Sequence, residues 1–90
     1  MDDGEFQKLL AELQQEIGQA KNLSENDRVL LRELEADILK LLKKPEISPS
    51  EVHPSTVQRL EDSIERLELS HPTLTGMMSK LLSILSNIGI

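Results

Sequence analysis

Four stretches of the chain repeat apolar residues at alternating steps of three and four, the signature of helices with one buried face. In the first, over about residues 3–21, Phe6, Leu10, Leu13, Ile17 and Ala20 recur and Leu9 widens the stripe. Lys8, Glu12, Gln15 and Gln19 form its polar side. The second, over about residues 25–43, carries Leu30, Leu31, Leu34, Ile38, Leu41 and Leu42, with Val29 and Leu39 off the stripe. Ser24 stands where an N-cap belongs, and Asp27 puts a negative charge near the positive helix start. Only Asn22 and Leu23 separate the two patterns, and so short a link predicts an antiparallel hairpin.

The third stretch, about residues 55–69, has a narrow stripe of Val57, Leu60, Ile64 and Leu67. Ser55 and Gln58 have capping-box spacing. Its other face is charged and includes an Asp62–Arg66 pair at i, i+4, worth about 0.2–0.5 kcal/mol. The fourth, about residues 72–87, carries Leu74, Met77, Met78, Leu81, Leu82, Ile84, Leu85 and Ile88. Pro72 suits a first helical turn, and Gly89 stands where a C-terminal stop belongs. His53-Pro54-Ser55 echoes His71-Pro72-Thr73; each opens a helix, which reads as convergent helix-start chemistry rather than duplication.

Between the second and third patterns, residues 44–54 are rich in proline and serine and read as a loop. Residues 44–53 could reach about 33 Å if extended, as long as a twenty-residue helix at about 30 Å. Sequence alone therefore leaves the relative direction of the two halves open. The expected fold is all-α and a single domain over residues 1–90. Two antiparallel helical hairpins form a small four-helix bundle, complete by itself or through oligomerisation.

Charge changes this picture at one place. Residues 70–90 carry a single formal charge, Lys80, while the preceding residues hold the other nine basic and all sixteen acidic side chains. On the fourth helix the side opposite the wide apolar arc holds Thr75, Gly76, Ser79, Lys80, Ser83 and Ser86. Gly76, Ser79, Ser83 and Ser86 form a seam of small residues, which lets another helix approach closely. The expectation is a helix packed on both sides, its second side meeting another protomer. Gly76, Ser79, Ser83 and Ser86 are the interaction candidates, with Ile84 and Ile88 at the edge.

Composition narrows the functions. A chain of 90 residues buries only about 60–65 % of its unfolded surface, and with Phe6 as its single aromatic residue the core is almost wholly aliphatic. The absence of cysteine removes disulfides, thiolate metal sites and thiol nucleophiles. A net charge of −6 with no basic stripe argues against nucleic acid as partner. The apolar runs are too interrupted for a membrane span, and the acidic start MDDGEF lacks the pattern of a secretory signal. A cytoplasmic, non-membrane protein is expected.

Candidate chemistry is sparse. Glu68 and His71 have the Glu-x-x-His spacing of di-iron bundles. The second copy such a site needs would have to come from a dimer, and a helix break falls before Pro72. The alternative reading is thus a metal-dependent enzyme using Glu68 and His71 across a dimer; the simpler one is a helix-end histidine that bonds locally. Glu61, Asp62, Glu65 and Glu68 read as a solvated face, no serine has a base placed to activate it, and no glycine-rich phosphate loop occurs. No catalytic residue, cofactor, metal or small-molecule substrate is expected. A further alternative is an acidic regulator that masks a basic partner.

The string Ser70-His71-Pro72-Thr73-Leu74-Thr75, with the ending Leu85-Ser86-Asn87-Ile88-Gly89-Ile90, resembles a family of short bacterial proteins, domain-of-unknown-function family 4404. Leu9-Leu10-Ala11-Glu12-Leu13 and Leu30-Leu31-Arg32-Glu33-Leu34 are similar too, so the resemblance covers nearly the whole chain. Gly76-Met77-Met78 stands where alanines and leucines are more usual in that family. The resemblance implies a bacterial protein of about this length and carries over no activity. The expected function is that of a non-enzymatic structural or interaction protein. It self-associates, or docks a protein partner, through its C-terminal helix. His71, Thr73 and Thr75 are expected to set the start of that helix.

Overall fold

The computed structural model describes residues 3–45 and 48–87. Four α-helices follow one another: α1 (Asp3–Gln19), α2 (Glu25–Leu42), α3 (Pro54–Leu67) and α4 (Pro72–Asn87), with one 3-10 turn, Pro49–Glu51, before α3. No strand occurs among the described residues. Helices consecutive in the chain pack on one another, and α1 closes the ring against α4. This is the four-helix bundle of two hairpins that the periodicity predicts.

Local chemistry sets the helix ends. Ser24 caps α2, its hydroxyl accepting from the Asp27 N–H at 3.2 Å. The turn between α1 and α2 is wider than two residues. It spans residues 20–24 and reverses at Asn22, whose φ of 61° is left-handed. Asparagine tolerates that region because its short amide can bond locally. α3 begins at Pro54, within the expected start, with His53 as N-cap. The His53 imidazole, not Ser55, supplies the cap: its Nδ1 accepts from the Ser55 N–H at 3.1 Å. The expected Ser55–Gln58 box is not made; Gln58 instead donates to Asp62 at 3.1 Å. Asp62 is not the partner of Arg66 either, because Arg66 reaches across to Asp27 on α2 at 3.1 Å.

The proline-containing link does not cross the bundle. Arg59 pairs with Asp37 and Arg66 with Asp27, so the register falls along α2 as it rises along α3. The two helices are therefore antiparallel, and the link stays at one end. The 3-10 turn takes up its length there and packs against α4, with Pro49 and Val52 buried. The Glu51 carboxylate accepts from the Ser48 N–H at 2.9 Å and closes the turn. Glu46 and Ile47, within the same link, lie outside the described residues, as do Met1, Asp2 and 88–90.

The core joins Phe6, Leu10 and Leu13 of α1, Leu31, Leu34 and Ile38 of α2, Leu60 and Leu67 of α3, and Leu74, Met78, Leu81 and Leu85 of α4. Val29 and Leu39, off the stripe of α2, are exposed. On α3 the buried line is Thr56, Leu60, Ser63 and Leu67, while Val57 and Ile64 are only partly buried. The stripe has thus rotated toward two small polar residues. Ser63 is fully buried, and its hydroxyl donates to the Arg59 carbonyl one turn earlier at 2.7 Å. That bond satisfies the oxygen within its own helix, so a side chain small enough for close packing carries no orphaned polar group.

Candidate functional site

α4 is the least charged of the four helices, and its two sides have different fates. Leu74, Met78, Leu81 and Leu85 face inward and are buried. Met77, Leu82 and Ile84 are partly buried at the margins and pack on the core. Gly76, Ser79, Ser83 and Ser86 are exposed, as are Lys80 and Asn87. A side-chain carbon added at Gly76 would meet nothing within 4 Å. The expectation of packing on both sides is therefore not met within the chain: α1 and α3 cover one side, and the small-residue seam faces outward. Of the edge residues, Ile84 lies at the margin, and Ile88 lies outside the described residues.

Beside the seam, a shallow groove of about 230 Å³ runs between α3 and α4, lined by Val57, Glu61, Leu82, Leu85 and Ser86. Its floor is apolar and its rim carries one carboxylate. The outer face of α3 continues with exposed Glu65 and Glu68.

The string that opens α4 has a different role. His71 uses both ring nitrogens. Nε2 donates to the Lys21 carbonyl at 2.6 Å, and Nδ1 lies 2.8 Å from the Ser70 hydroxyl. Since a carbonyl only accepts, Nε2 carries a proton and donates it there, while the Ser70 hydroxyl satisfies Nδ1. His71 thereby ties the α3–α4 turn to the α1–α2 turn, fifty residues away in the chain. Thr75 is buried and its hydroxyl donates to the Pro72 carbonyl at 3.2 Å; Thr73 is exposed. Of the three, only Thr75 makes a side-chain bond within the first turn of α4; the His71 ring bonds Lys21 and Ser70 instead. The His71 bond to Lys21 was not foreseeable, because no local pattern announces a backbone acceptor fifty residues away.

Glu68 is exposed and ends α3, while His71 turns its nitrogens to Lys21 and Ser70. Among the described residues no three His, Cys, Asp or Glu side chains converge closely enough to hold a metal ion. Among them too, no helix is long and apolar enough to cross a membrane. Among the described residues one carboxyl group is shifted: the Ser48 N–H, and then the Lys44 ammonium, hold Glu51 below its ordinary value. These bonds belong to the link between the hairpins. Arg59, which sequence reading passed over, joins α3 to both Asp37 and Glu33 of α2. Its only sequence signal is a cation beside the α3 stripe, facing acids on α2.

The architecture defines a small helical bundle with one uncovered, charge-poor helix face. The chain belongs to the family described as "Domain of unknown function (DUF4404)", whose model matches residues 6–90. No curated protein and no solved structure matches it.

Proposed function

We propose that the protein is a non-enzymatic structural or interaction protein that docks a protein partner, or a second copy of itself, through the outer face of α4. The observation that carries this reading is the exposed strip Gly76, Ser79, Ser83 and Ser86, which lies on a helix whose one formal charge is Lys80. A solvent-facing helix side is ordinarily charged, as the outer faces of α1 and α3 are. Small side chains lose little rotamer freedom when covered and let two backbones approach closely. The partly buried Leu82 and Ile84 at its margins supply apolar area that docking would remove from water. A cysteine-free, acidic composition accords with a cytoplasmic setting, and the family resemblance with a bacterial source.

The test compares the protein with Ser83→Glu, which places a carboxylate at the centre of the strip. Sedimentation over a wide concentration range gives the solution mass, and affinity capture from the native host gives bound proteins. The variant is expected to lose self-association or the captured partner while keeping its circular dichroism and melting temperature. Identical mass and identical captured proteins for both chains would refute the reading.

A further inference from the structure

We infer that the cleft between the end of α1 and the start of α2 binds a small phosphorylated molecule, whose phosphoryl group is held by Lys21, Arg28 and Arg32. The site is separate from the outer face of α4, because α2 packs on α1 and α3. The cleft has a volume of about 420 Å³, and all three cations line it. Ile17 and Leu31, both buried, give it an apolar wall.

The charges of α2 are sorted between its two neighbours. Asp27, Glu33 and Asp37 turn to α3, where Arg66 and Arg59 pair with them. Arg28 and Arg32 line the cleft beside α1 and, among the described residues, form no ion pair. They stand at i, i+4, a spacing at which like charges repel. Their Cβ atoms are about 5–6 Å apart there, so both guanidinium forks can converge on one group. A dianion between them turns that repulsion into attraction.

The acids around the cleft leave it positive. Glu35 lines it, and Glu25 shares a neighbouring hollow with the two arginines. Glu35 accepts from Gln14 Nε2 at 3.3 Å. Glu25 stands in the first turn of α2, where the helix dipole favours an acid. The glutamates of α1 are turned elsewhere. At about 100° per residue, Glu5, Glu12 and Glu16 fall within about 40° of one another. Glu16 lines the hollow toward the start of α4, with Pro72 and Leu74. Gly18, which lines the cleft, lies about 160° round the helix from Glu16. Three cations thus face two carboxylates on a chain whose net charge is −6.

Phosphate suits this set better than a carboxylate does. Each guanidinium can hold two oxygens, and a phosphomonoester offers three oxygens and close to two negative charges at neutral pH. Asn22 and Leu23 line the cleft as well, and among the described residues their N–H groups have no acceptor in the chain. The His71 bond to the Lys21 carbonyl holds the turn that carries them. The net negative charge repels an extended polyanion such as an anionic membrane surface, which favours a ligand small enough to lie within the cleft.

The test titrates the isotope-labelled protein with inorganic phosphate and with pyrophosphate, reading amide chemical shifts against sodium chloride at equal ionic strength. Saturable shifts are expected over 20–23 and 28–32. Arg28→Gln and Arg32→Gln are each expected to raise Kd about tenfold or more. Arg28→Lys with Arg32→Lys should raise it severalfold, because lysine keeps the charge and loses the fork. Lys40→Gln, the same loss of charge at the other end of α2, should leave Kd unchanged. All three side chains are exposed, and circular dichroism checks the fold of each variant. Shifts no larger than those caused by chloride would overturn the site, as would equal losses in Lys40→Gln and Arg28→Gln. Co-sedimentation with vesicles of phosphatidylglycerol, without a saturable response to either free anion, would overturn the small ligand in favour of a membrane surface. The α4 reading is decided separately, by whether Ser83→Glu changes solution mass or what is captured from the host.

Discussion

Replacing His71 with alanine removes the one described side-chain bond between the two turns at that end of the bundle. Its Nε2–H donates to the Lys21 carbonyl at 2.6 Å, across fifty residues of chain. The Lys21 carbonyl is at the surface and would regain water, so the cost is the net worth of a hydrogen bond, about 0.5–1.5 kcal/mol. In a domain of this size about 1 kcal/mol lowers the melting temperature by roughly 4–8 °C. His53→Ala should cost a similar amount, because losing an N-cap is typically worth about 1 kcal/mol. Melting alone therefore does not separate the two histidines; location does. Amide hydrogen exchange read residue by residue should show faster exchange over 20–24 in His71→Ala and unchanged exchange there in His53→Ala, whose ring bonds only within its own helix start. His71→Gln, with an amide N–H able to reach toward the same carbonyl, should recover part of the protection. Equal exchange over 20–24 in wild type and His71→Ala would refute the tie between the turns.

Ser63→Ala should leave stability unchanged or raise it by up to about 1 kcal/mol in urea unfolding. The lost hydroxyl orphans no acceptor, and alanine is the better helix former. Ser63→Leu, at the same fully buried position, should cost about 1–3 kcal/mol through overpacking. Arg59→Met removes the pairs to Asp37 and Glu33 and should destabilise by about 1–2 kcal/mol; a double-mutant cycle with Asp37→Asn should show a smaller loss for the pair than for the sum. Glu51 is held below its ordinary value of 4.5, first by the Ser48 N–H and then by Lys44. Its contribution is therefore present above about 4.5 and is lost as pH falls through the lower folded value. Glu51→Gln should flatten that part of the acid limb in a pH series of melting temperatures, and an unchanged limb would show that the turn does not depend on this carboxylate.

On α1 and α2 the buried residues were legible because a repeat of three and four specifies one face whatever that face packs against. The stripe of α3 was legible only in part. Val57 and Ile64 look like core positions by hydropathy, yet Thr56 and Ser63 are buried more deeply, since close approach of helices rewards small volume as well as apolarity. The seam of α4 was readable as a run of small residues, but its outward direction was not, because a helix wheel gives relative angles and no neighbours. His53 and His71 read as twin helix starts. One caps its own helix and the other bonds across the bundle, a difference that depends on what lies within reach of the ring.

Sequence determined how many helices there are, nearly where each begins and ends, and that charge deserts the last of them. These follow from interactions among residues a few positions apart. Tertiary structure decided that the link between the hairpins stays at one end, that Arg59 and Arg66 turn toward α2 and not along α3, and that α4 keeps one side bare. Those outcomes depend on groups tens of residues apart, and only the packed chain brings such groups within bonding distance.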